Sequence, residues 1–348
     1  SLVSLMLAIP LLLAPARALI GYRSDHHRSY LGWRRIPYLW SGTLMQFGGL
    51  AFMPFALILM IEPHSGPPII GPIAAMGSFL LTGLGMHVSQ TAGLALATDL
   101  ATEETRPRVV ALLYLMLLVG MISSAVIFAA LLDDFSYVRL IQVIQSAAVI
   151  TLILNVAAMW KQEVRYPELT DHERERPTFG SAWGEFINLP KARRLLWALG
   201  LGTMGFTMQD ILLEPYGAHV LGLSVSETTL LTALFAGGMV LALLMTSRTL
   251  KKGVDPIRLA SVGVLIGIVA FVAVILSAPL HSTGLFQIGA TLIGVGNGLF
   301  AVGMLTAAMV FGGAKMAGLT LGAWGAVQAA ATGLAMFSGG AIRDVVTG

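Results

Sequence analysis

The chain has 348 residues, 56% of them apolar and only 11% charged, with a mean hydropathy of +0.81. No soluble core needs that much apolar surface, so the composition excludes a soluble enzyme or binding module and points to a polytopic membrane protein. Basic loops on one membrane face explain the net charge of +3 better than nucleic-acid binding does, and with no cysteine the chain has no thiol or disulfide chemistry.

A helix crosses a bilayer with about 20 apolar residues. Ten such spans are predicted, at 1–20, 36–61, 69–98, 108–132, 138–160, 194–219, 227–247, 257–278, 284–311 and 316–340. The first has no basic leader and ends in arginines instead of a small-residue cleavage site, so it reads as a span and not a signal peptide. The polar segment 161–193 separates an N-terminal half, 1–160, from a C-terminal half, 194–348. Lysine and arginine concentrate in alternate loops, from Arg17 to Arg35, at Arg106 and Arg108, through the linker, at Arg248 to Arg258 and at Lys315; the opposite loops hold Arg139 and Arg343. The basic side is therefore expected to be cytoplasmic and both ends of the chain outer. Two spans precede the basic loop 248–255, whereas one precedes the comparable loop 21–35. If the halves are repeats, the first lacks its first helix and the second its last.

In chain order, the first motif is Gly21, Asp25, Arg28, Gly32, Arg34 and Arg35, read as a Gly-bounded turn. Its carboxylate is placed to accept hydrogen bonds from a helix N-terminus and to pair with arginine. The alternative is ordinary positive-inside arginine. The third span carries His87, Gln90, Thr91, Leu94 and Thr98 at helical spacing. His87 reads either as a metal ligand through a neutral imidazole nitrogen, the metal in a pigment context being a chlorin's magnesium, or as a buried histidine hydrogen-bonded to a neighbouring helix. No second histidine or cysteine lies at metal-ligand spacing, so no protein metal site is expected. Asp99, Arg106 and Arg108 form a second acidic-basic loop, and Pro107 suits the first turn of the next helix.

Residues 179–187 have the spacing of a short amphipathic helix on the cytoplasmic leaflet. In the C-terminal half, Asp210 and Glu214 share a face with Thr203 and Thr207; they suit proton relay or cation binding, or simply end a helix in outer-side water. Gln287, Thr291, Gly294 and Gly298 share another face, with Asn297 beside it. The tryptophans and tyrosines at 22, 30, 33, 38, 40, 160 and 166 fit an interfacial belt. No phosphate loop or nucleophile elbow is present, so no enzyme is expected.

The loop at 21–35 resembles an expanded form of G-x-x-x-D-x-x-G-R-R, which joins the second and third helices in the major facilitator superfamily. The segment 99–108 looks like that superfamily's next cytoplasmic loop. Seven stretches together, at 17–25, 31–38, 46–55, 90–99, 109–114, 139–145 and 208–217, resemble the PucC/LhaA family, its bacteriochlorophyll-delivery branch. The resemblance implies an all-α bundle of two pseudo-symmetric halves, the ten spans corresponding to the second through eleventh of twelve helices. It implies a multi-pass protein of the photosynthetic inner membrane of purple bacteria, working as an assembly factor for light-harvesting antenna complexes. Antenna polypeptides and the reaction-centre core complex are the implied partners, with bacteriochlorophyll bound or handed over. His87 and Gln90 are the candidate pigment contacts. A secondary transporter of a small solute is the alternative.

Overall fold

The computed structural model describes residues 13–61, 67, 69–132, 136–223, 225–251, 253–312 and 316–347. Every regular element among them is helical: α1 (Ala16–Asp25), α2 (Ile36–Ile61), α3 (Ile70–Leu100), α4 (Arg106–Leu131), α5 (Tyr137–Met159), α6 (Pro167–Thr170), α7 (Phe179–Asn188), α8 (Pro190–Val220), α9 (Val225–Lys251), α10 (Pro256–Ser277), α11 (Thr283–Gly312) and α12 (Ala317–Thr347). Nine of the ten predicted spans coincide with α2 to α5 and α8 to α12; of the first, residues 1–12 lie outside the described residues.

Local chemistry sets several starts. Ser136 caps α5, its Oγ accepting the Arg139 N–H at 3.1 Å, and Asp255 caps α10, accepting the Ile257 N–H at 2.7 Å. Pro107, Pro190 and Pro256 sit in first turns, where a missing N–H costs nothing. Among the described residues, six helices are long and apolar enough to cross a membrane. Their outward faces are apolar too: Leu154 and Leu265 are 63% and 62% exposed, as lipid contact requires and water would not favour. The protein is a multi-pass membrane protein.

Contacts group the chain into two compact units. The first comprises 1–100, 121–188 and 312–326, and the second 101–120, 189–311 and 327–348. The linker up to Asn188 thus belongs to the first unit, as does the opening stretch of α12. Within the first unit α2 lies along α3 at backbone distance. A Cβ at Gly85 would come within 2.6 Å of the Gly42 carbonyl oxygen, so only glycine permits the approach. Gln46 fixes the register, its Nε2 donating to the Gly85 carbonyl at 3.2 Å and to Ser89 Oγ at 2.9 Å. The amphipathic helix forms as expected, but its apolar face turns to the protein: Phe186 is fully buried and Phe179 stands edge-on to Tyr22 at 5.5 Å.

Candidate functional site

The site is built where α1 meets the start of α12, inside the first unit. Arg17, Gly21 and Asp25 recur every four residues and form one face of α1. Against them α12 presents Gly318, Gly322 and Gly325. A Cβ at Gly318 would stand 2.8 Å from both Asp25 Oδ1 and Arg35 Nη1, and one at Gly322 would stand 2.9 Å from Ala18 Cα. Gly21 and Asp25 were expected in a turn, yet both are helical. Gly21 serves helix approach, because its missing Cβ makes room for the Gly318 backbone. The turn needs its glycine at Gly32, where φ is +78°, a region that L side chains avoid.

Asp25 is the hub. Its Oδ1 accepts the Gly318 N–H at 2.9 Å and its Oδ2 the Leu319 N–H at 2.8 Å, so it caps α12 from 293 residues away. The Arg35 guanidinium, wholly buried, pairs with Asp25 at 2.6 Å and with Asp99 at 3.0 Å, and donates to Ser24 Oγ at 2.7 Å. Arg34 reaches the same Asp99 oxygen at 3.3 Å. Burial pulls the Arg35 pKa down, but the charges and hydrogen bonds of Asp25 and Asp99 outweigh it and hold it above its ordinary value.

A third carboxylate, which the sequence reading did not single out, completes the arrangement. Glu163 accepts the backbone N–H groups of Arg34 (2.8 Å), Arg35 (2.9 Å) and Ile36 (2.8 Å), capping α2 from the linker. Beyond it the linker is strapped to the loop. The Tyr166 N–H donates to the Gly32 carbonyl at 2.9 Å, and Thr170 Oγ1 donates to the Ser29 carbonyl at 2.7 Å. Tyr30 stacks on His172 at 4.3 Å, and the Tyr22 hydroxyl donates to the Pro177 carbonyl. Two helix N-termini, each with its positive dipole end, are thus held by carboxylates from distant segments.

The remaining predicted residues disperse. Arg28 and Arg108 are exposed and Arg106 is buried, while Asp99 pairs with Arg34 and Arg35. On α3, His87, Thr91 and Thr98 are buried while Gln90 is exposed. At about 100° per residue, Gln90 lies about 60° from His87 and about 100° from Thr91, on the exposed flank of the helix. Arg17, read from sequence only as a basic-loop residue, is buried and donates from Nε to Thr91 Oγ1 at 3.2 Å. Gln287 and Thr291 border a cavity of about 440 Å³ in the second unit, whereas Gly294 and Gly298 take up close contacts with α9. Asn297 is half-buried. The side chains of Asp210 and Glu214 lie outside the described residues. No cluster of three metal-binding side chains occurs among the described residues.

Comparison with known proteins gives consistent matches. The family model described as PUCC protein covers residues 1–348. Protein PucC of Rhodovulum sulfidophilum is 50% identical over 99% of this chain and 78% of its own length. An uncharacterized protein of the puhA-bchM intergenic region of Rhodobacter capsulatus is 52% identical over 99% of the chain and 72% of its own length. The Rhodobacter capsulatus bacteriochlorophyll synthase 44.5 kDa chain is more distant, at 26% over 85% and 69%. Among solved structures, a bacterial homologue of the iron transporter ferroportin superposes with a TM-score of 0.74 at 17% identity, over 98% of this chain and 82% of its own. The major facilitator superfamily proton:xylose symporter XylE gives 0.60 at 14%, over 99% and 79%. At such identities the likeness shows the fold alone, and that fold is of the major facilitator type.

Proposed function

Because the chain belongs to the PUCC protein family, matched over its 348 residues, we propose that it is an assembly factor for a bacterial light-harvesting antenna, holding or delivering bacteriochlorophyll for the antenna polypeptides. Its place would be the photosynthetic inner membrane of a purple phototroph, its partners the antenna polypeptides and the reaction-centre core complex. The observation that carries the reading is 50% identity to Protein PucC of Rhodovulum sulfidophilum across 99% of the chain. The match to a chain named bacteriochlorophyll synthase supports the pigment end of it. His87 and Gln90 act as pigment contacts in this reading only if the helices around His87 part, because that side chain is 4% exposed.

Solute transport is the competing reading, and the fold is what favours it. A deletion strain separates the two. Its membranes should lose an antenna absorption band, and the full-length gene should restore it. Normal antenna bands in the deletion strain contradict the assembly reading.

A further inference from the structure

One cavity of the first unit lies away from His87 and shares only Glu163 with the charge network. It lies where the start of α2 meets the end of α5, at the edge that carries the basic loop, and measures about 480 Å³. Pockets for small molecules run from about 300 to 1,000 Å³. Trp33, Trp40, Trp160, Lys161, Gln162 and Glu163 line it. Three of the six tryptophans of the chain thus converge, Trp160 joining Trp33 and Trp40 from more than a hundred residues away in sequence. Trp160 is 70% exposed and Trp40 46%, so neither ring is used up in the protein interior. Trp33 is backed by Arg165, whose guanidinium carbon sits 4.7 Å from the ring centroid.

Charge narrows the occupant. Lys161 and Glu163 give the wall one charge of each sign, and the Glu163 oxygens are already engaged by three backbone amides. With one charge of each sign the wall is close to neutral, so it offers no net attraction for a charged headgroup over an uncharged body. The aromatic surface suits a flat conjugated body, since stacking on an indole works through the π-face without directional polar partners. Gln162 adds an amide carbonyl, a neutral oxygen donor of the kind magnesium accepts.

We propose that this tryptophan-lined pocket binds the macrocycle of a neutral magnesium chlorin, stacked on the indole rings with its tail in the lipid. The proposal rests on the pigment-handling reading above and names the site for it. The pocket is open and two of its rings, Trp160 and Trp40, are exposed, so a pigment reaches it without parting any helix.

The test uses the full-length protein in detergent, titrated with bacteriochlorophyll a, with binding read from quenching of tryptophan emission and from the pigment absorption bands. Trp160→Leu and Trp40→Leu should each weaken binding about fivefold, as expected for loss of one stacking partner. Gln162→Leu should shift the absorption bands, because it removes the amide carbonyl from the wall. Because Trp160 is largely exposed, Trp160→Leu keeps the fold, which the melting curve verifies. Equal affinity in wild type and the Trp160→Leu, Trp40→Leu double variant overturns the proposal. So does a wild type that binds no pigment, or one that retains phosphatidylglycerol in this pocket to the exclusion of pigment. Failure here leaves the assembly reading to the deletion strain, whose antenna bands do not depend on where pigment binds.

Discussion

Asp25 holds two helices and one arginine with a single carboxylate. Its side chain is 2% exposed and that of Arg35 is 0%, which sets the scale of any loss. An exposed pair is worth about 0–1 kcal/mol. Removing one partner of a buried pair costs about 3–5 kcal/mol, because the other charge is left without compensation. Asp99 still faces Arg35, so Asp25→Ala should fall at the lower end, about 3 kcal/mol. Thermal unfolding in detergent would show it, and a loss of under about 1 kcal/mol would mean that the network does not hold the loop. His27 gives a pH signature. Burial lowers its pKa below 6.5; the charges of Arg176 and His172 act with it, and that of Glu163 against. A depressed folded pKa means that the unfolded chain binds the proton more readily, so this stability is present above pH 6.5 and drains as pH falls through the folded value. The melting temperature should therefore drop as pH falls below about 6.5, and His27→Gln should flatten that slope. An unchanged slope in His27→Gln would assign the acid sensitivity elsewhere.

At the scale of elements, the contact of α1 with α12 depends on what the glycines lack. A Cβ at Gly322 would meet the Arg17 carbonyl carbon at 2.8 Å, backbone that cannot swing aside, whereas one at Gly333 on the same helix meets nothing within 4 Å. Gly322→Leu should cost at least about 1–3 kcal/mol, the usual penalty for overpacking, and Gly333→Leu should be near neutral. Equal melting temperatures for the two variants would show that α12 does not seat on α1 at this point. The spans were legible because length and hydropathy suffice to fix a membrane helix: 36–61 was predicted and Ile36–Ile61 is found. The ion pairs were legible only in part. Asp25 stood out through its spacing to Gly32, Arg34 and Arg35. Glu163 did not, because nothing local distinguishes it from Glu168, Glu173 or Glu175, and its partners lie 127 to 129 residues away. Arg17 was misread for the same reason. A burial that depends on a neighbouring helix leaves no trace in the order of residues, and a basic residue at a span end has the composition of a topology signal.

For the whole molecule, fold and family agree while leaving open what the fold is used for, since the same scaffold serves transporters and other tasks. Asp25, Asp99 and Glu163 tie the linker, α1, α2 and the start of α12 together. That suits a protein that must hold a surface steady for a client, and equally one that must break those bonds to move. What separates the two is what travels with the protein. The most direct measurement is to tag the full-length protein in its phototrophic host, purify it gently, record its absorption spectrum and identify co-purifying polypeptides by mass spectrometry. The account predicts bacteriochlorophyll bands together with antenna polypeptides. A colourless preparation free of antenna polypeptides, from membranes rich in both, would contradict it.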